Sequence, residues 1–157
     1  MIKKNTRIYL IIVLVALVGI QFFQPKRNTA AITSDHLFQQ THVPGNVQQV
    51  LNHACMDCHS DQTKYEWYHK ISPVSWYINH HISEGKHELN FSNWRSISPL
   101  DKISLLEDVK KEVGSGKMPL KAYTLIHREA RLTVAQRDSL FSWVEKYQEE
   151  LMQEALN

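Results

Sequence analysis

The only two cysteines in this 157-residue chain stand three positions apart, in Cys55-Met56-Asp57-Cys58-His59. That C-x-x-C-H run restricts the fold more than any other feature. Two thiols so close together cannot staple distant parts of a chain, because the loop they would close is too small to stabilise much. Their task is local, and the adjacent His59 belongs to it. The spacing reads as covalent attachment of a c-type haem: Cys55 and Cys58 form thioethers to one porphyrin edge, and His59 turns its imidazole onto the iron. Three other readings compete. A redox dithiol belongs beside a βαβ pattern, and none is present. Zinc takes four ligands, and only one cysteine pair exists, although His69, His80, His81 or His87 offer further donors. A plain disulfide is the third.

The N-terminus bears on the compartment. Lys3, Lys4 and Arg7 precede an apolar run from Ile8 to Ile20, extended by Phe22 and Phe23 and closed by Pro25, Lys26 and Arg27. About 16 residues at 1.5 Å each reach roughly 24 Å, short of a hydrocarbon core of roughly 30 Å, so flanking cations have to snorkel. The bulky Phe22, Phe23 and Gln24 argue against a cleavage site and for a retained anchor, with a cleaved signal peptide as the alternative. A buried core helix is disfavoured because the run lacks a polar face. The basic cluster favours a cytoplasmic N-terminus, which places the rest of the chain on the far side of a bacterial inner membrane, in the periplasm. Thioether attachment of haem also takes place outside the cytoplasm, so the two signals agree. A formal net charge of +2 gives no reason to expect a nucleic-acid partner.

The expected organisation is an anchor over 1–24, a tether over 25–45 with Pro25, Pro44 and Gly45 as breakers, and one domain over 46–157. Val47, Val50, Leu51 and Ala54 predict a helix running into Cys55. Ser72-Pro73 opens a second, with Val74, Tyr77, Ile78, His81 and Ile82 on its apolar face and Gly85 at its end. Ser98-Pro99 opens a third, lined by Ile103, Leu106, Val109 and Val113 and ended by Gly114 and Gly116. Thr133 and Gln136 form a capping box for the last, whose face is Leu140, Val144, Tyr147 and Leu151. No alternating run suggests a strand. The fold class is all-α, a cytochrome-c-like bundle of about four helices around one haem, with long loops over 59–71 and 114–132.

Met118, in Gly116-Lys117-Met118-Pro119, is the candidate for the sixth iron ligand. Its thioether is a soft donor that, paired with histidine, raises the reduction potential of haem iron. His81 and His127 are the rivals, as distal ligands or pocket residues, against ordinary roles in packing or hydrogen bonding.

Taken together, Cys-His-Ser at 58–60, Trp67-Tyr68, Pro73-Val74-Ser75-Trp76, Gly85, Asn90-Phe91-Ser92 with Trp94, Gly116-x-Met118-Pro119 and Tyr123-x-x-x-His127 resemble the bacterial haem-binding domain family, small exported relatives of c-type cytochromes. The resemblance runs from about Asn46 to Trp143. It implies covalent haem on Cys55 and Cys58, His59 as proximal ligand and a cytochrome-c-like helical fold. It names no redox partner. The function expected is electron transfer by a membrane-anchored monohaem cytochrome with His59 and Met118 as axial ligands. The alternative is a haem enzyme or gas sensor with an open or displaceable sixth position, for which His81, His127 and Arg128 are the available distal groups.

Overall fold

The computed structural model describes residues 4–156; Lys3 of the basic cluster lies outside them. Among the described residues the fold is all-helical, and the sole β feature is an isolated antiparallel bridge between Thr29 and Gln62. Helix α1 spans Lys4–Gly19 and passes into a 3-10 turn at Ile20–Phe22. After an extended segment come α2 (Leu37–Gln40), α3 (Gly45–Ala54) and α4 (Met56–His59). Helix α5 (Val74–Glu88) follows a 3-10 turn at Trp67–Lys70, and α6 (Pro99–Gly114) follows another at Phe91–Ser96. Helix α7 (Lys121–Ile126), a 3-10 turn at Arg128–Ala130 and α8 (Val134–Leu156) complete the chain.

The periodicity of the main helices places their buried faces as expected, with one exception. Leu140, Val144, Tyr147 and Leu151 of α8 are buried against α6 and α3, where Leu106, Val113, Val47, Val50 and Leu51 meet them. Phe91 and Trp94 fill the centre, and the buried Trp94 indole donates to Tyr147 Oη at 2.9 Å. Aromatic side chains this deep typically cost about 3–5 kcal/mol to truncate to alanine. The caps also match their residues. Ser98 accepts from the Asp101 amide, and Thr133 and Gln136 bond reciprocally at the start of α8.

Four expectations are corrected. Helix α5 does not stop at Gly85 but runs to Glu88, because Gly85 stands in the helix as a close-packing residue. Its buried face carries Ser75 and Ile82, whereas Val74 and Tyr77 are exposed, so the face drawn through Tyr77 and His81 was rotated. The segment 25–45 is not a free tether. Leu37 and Val43 are fully part of the core, and residues 23–31 form a strap bonded to α5 through Phe23 and Asn28 and to the loop at 61–62 through Thr29 and Ala30. The long loops at 59–71 and 114–132 hold the short helical turns and α7, which exceed the expected count of about four helices because pieces of three to six residues carry too little periodicity to detect.

The strap is fixed at both ends. Gln21 bonds the Ser72 backbone in both directions at 2.9 Å, and the Trp76 indole donates to the Phe23 carbonyl at 2.6 Å. At the far end Asn28 donates to the Ser60 carbonyl at 2.7 Å and accepts from Lys86 at 2.7 Å. Lys86 also pairs with Asp61 at 2.6 Å. Helix α1 makes no comparable burial: it is long and apolar enough to span a membrane or to act as a signal sequence, and none of its apolar span is covered.

Candidate functional site

Helix α3 ends at Cys55, where φ −127° and ψ −46° break the helix before α4 resumes at Met56. This break turns the motif into a single helical turn. Met56 is driven into the core, and Cys55, Cys58 and His59 are left half-buried along the rim. Both thiols are free. Burial pushes the Cys55 thiol up to about 12, with Cys58 adding to the effect, and burial with the Asp57 carboxylate pushes Cys58 up to about 11. Thiols held protonated in this way are poor exchange nucleophiles, which counts against the dithiol reading. Zinc fares no better, because among the described residues no three His, Cys, Asp or Glu side chains converge to hold a metal.

His59 is oriented from behind. Its Nδ1 lies 3.1 Å from the Leu89 carbonyl just beyond α5, which favours the tautomer that donates there and leaves Nε2 with a lone pair. Burial lowers its pKa, against the opposing pull of the Leu89 and Gly85 carbonyls, so the ring is held neutral. The approach of α5 that makes this contact depends on Gly85: a Cβ there would meet the Cys58 carbonyl oxygen at 2.8 Å and Cys58 Cβ at 3.2 Å. No other residue permits so close a crossing. The donor set therefore fits a haem held through two thioethers and one imidazole: two free thiols one helical turn apart, and a neutral histidine whose Nδ1 bond to Leu89 leaves the lone pair on Nε2.

Met118 follows a turn that folds back on the end of α6. Gly116 adopts φ +72°, and the Glu112 carbonyl accepts from both the Lys117 and Met118 amides at 3.0 Å. Gly116 thus serves the turn geometry. The half-buried Met118 packs on the same core cluster that borders Cys55 and Leu89.

The two histidine rivals have other partners. His81 is half-buried on α5, where its Nδ1 meets the Tyr77 carbonyl at 2.9 Å and its ring stands 4.3 Å from that of Tyr77. His127 contacts Tyr68 Oη through Nε2 at 2.6 Å and Glu129 through Nδ1 at 3.3 Å, and stacks on Tyr123 at 4.2 Å. Both of its ring nitrogens are engaged.

Asp57, the unremarked middle of the motif, proves to be an organiser. Its carboxylate accepts from the Lys64 amide and from Tyr123 Oη, both at 2.8 Å, so α4 is tied to its own following loop and to α7. Burial first, then the Asp57 charge, pushes the Tyr123 phenol far up, keeping it a donor. The sequence signal was the Tyr123 to His127 spacing, whose two rings stack on one side of α7. Ser60, fully buried, returns its hydroxyl to the Met56 carbonyl at 2.6 Å and so closes the turn. A cavity of about 220 Å³ opens beside this network, between Met56, Asp57, Tyr123 and His127, and does not include the cysteines or His59.

No curated protein and no solved structure matches the chain. Residues 15–146, from within α1 through most of α8, match the haem-binding domain family, and the chain belongs to that family.

Proposed function

We propose that this protein is a membrane-anchored monohaem c-type cytochrome that carries electrons, with haem covalently bound through Cys55 and Cys58 and His59 and Met118 as axial ligands. The observation that supports the reading best is the Leu89 carbonyl at His59 Nδ1, which puts the ring's lone pair on Nε2 in the same turn as two free thiols. Cys55 and Cys58 would hold the haem through thioethers, each thiol giving up its S–H and a vinyl its C=C π bond for one C–S and one C–H bond. Bound haem supplies a one-electron iron couple.

The remaining work belongs to the chain. Leu89 fixes the His59 ring and raises its donor strength, Gly85 lets α5 come near enough to do so, and Asp57 with Tyr123 holds the attachment turn rigid. The Glu112 carbonyl pins the loop that presents Met118. With His59 and Met118 both holding the iron, the pair would raise its reduction potential and would keep substrate from the metal. A catalytic alternative requires a free distal acid or base; His127 has both ring nitrogens engaged, and His81 is bonded through Nδ1. The haem domain is placed in the periplasm, with α1 in the inner membrane and an unidentified protein as redox partner.

The full chain, matured with haem, tests this by a pyridine haemochrome assay and by ferric spectra of the parent and of Met118→Ala. The expected result is acid-stable haem, a low-spin ferric spectrum and a thioether-to-iron charge-transfer band that Met118→Ala abolishes. Extractable haem overturns the attachment, and a band or spin state indifferent to Met118→Ala overturns the ligand pair.

A further inference from the structure

The bonds that join the end of α1 to the domain fix which surface faces the bilayer. Gln21 grips both backbone polar groups of Ser72, Gln24 donates to Ser72 Oγ at 2.9 Å, and the Phe23 carbonyl receives the Trp76 indole at 2.6 Å. Residues 72 and 76 therefore sit within hydrogen-bonding distance of the point where α1 leaves its apolar span. Around them the surface is unusually apolar. Ile71 and Val74 are each 42% exposed, Trp76 40%, Tyr77 56% and Trp67 72%. Phe22 and Phe23 on the α1 side are 84% and 73% exposed.

Charge complements this patch. The cleft between the start of the strap and α5 is lined by Arg27, His69 and Lys70 together with neutral residues, and no carboxylate lines it. Burial lowers the His69 pKa, so Arg27 and Lys70 supply its positive charge. Indoles and phenols flanked by cations are the side chains that settle at the headgroup level, where rings meet the acyl boundary and Lys or Arg meet lipid phosphate.

We propose that the corner made by Ile71, Val74 and Trp76, flanked by Trp67 and Tyr77, seats in the interfacial layer of the same bilayer that α1 enters, with Arg27 and Lys70 facing lipid phosphates. The inference rests on α1 being a retained anchor, and it adds that the haem domain lies on the membrane rather than standing off from it. Continuity decides the occupant, because a lipid interface reaching Phe22 and Phe23 cannot avoid the side chain bonded to Phe23.

The test uses the full-length holoprotein in vesicles of phosphatidylethanolamine and phosphatidylglycerol doped with a phospholipid carrying a photoactivated diazirine near its glycerol backbone. Lipid adducts are mapped by mass spectrometry. Adducts on α1 and on the 67–77 peptide, with none on the exposed Leu100 or Val134 of α6 and α8, are the expected result. Adducts on α1 alone overturn the seated corner while leaving the anchor intact. Adducts on neither segment overturn the anchor and the corner with it.

Discussion

Replacing Gly85 with alanine tests the packing that positions His59, because two effects of similar size and opposite sign compete there. Within an exposed helix, alanine in place of glycine stabilises by about 1 kcal/mol. At position 85 the added Cβ meets the Cys58 carbonyl oxygen at 2.8 Å, where ordinary contact begins at 3.4 Å. A backbone oxygen cannot rotate away, so α5 must recede by about 0.6 Å, the difference between those two distances. Overpacking of this kind costs roughly 1–3 kcal/mol. The net expectation is destabilisation by about 1 kcal/mol, read from urea denaturation of the holoprotein followed by far-ultraviolet circular dichroism. The same displacement moves the Leu89 carbonyl away from His59 Nδ1, so the ferric spectrum and the reduction potential should shift as well. Gly85→Ala protein that is more stable than the parent by about the propensity difference, with an unchanged spectrum, would refute the close crossing of α4 and α5.

Tyr123→Phe removes the donor that ties α7 to Asp57 and is expected to cost roughly 2 kcal/mol, the range for a hydrogen bond to a charged partner, measured by urea midpoint. An unchanged midpoint would show that the pair is only a surface contact. The buried His36 has its pKa lowered by desolvation, partly opposed by Asp61, and its Nδ1 accepts from the Phe38 amide. The unfolded chain therefore takes up a proton below about pH 6.5 that the folded chain refuses, so stability is complete above that pH and falls as pH descends through it. His36→Asn keeps an acceptor for the amide without titrating, and the loss of stability between pH 7 and pH 5 should become smaller. An identical slope in both proteins would place the titration elsewhere.

What the sequence made legible was whatever has a long period or a fixed spacing. The faces of α3, α6 and α8 followed from Val47 to Leu51, Ile103 to Val113 and Leu140 to Leu151, because apolar residues recurring three and four positions apart leave a helix little choice. The thiols and His59 were found by their spacing. Gly85 was misread, since a glycine late in an apolar repeat is ordinarily a stop signal, and only the neighbouring Cys58 carbonyl reveals that it is there for want of a side chain. The rotated face of α5 has a related cause: the exposed Tyr77 and the half-buried His81 pair with each other, and their apolar bodies mimic a core stripe. The Leu89 carbonyl was invisible, because any residue type supplies a backbone oxygen.

The strap from Phe23 to Ala31 changes how this protein would search for a partner. Had the segment from 25 to 45 been a flexible coil, it would have let the domain wander over roughly 25 Å from its anchor. Pinned instead at Ser72 and Trp76 and again at Ser60 and Lys86, the domain has almost no reach of its own. From Trp76 to Gly85, beside Cys58, is nine residues of α5, about 14 Å of helix. With α1 inserted, the attachment turn is then carried at one height and one angle, like a contact on a fixed arm. Under the proposed anchoring, encounters would become a matter of lateral diffusion in two dimensions, and a partner would be selected by whether its own docking surface comes to that height.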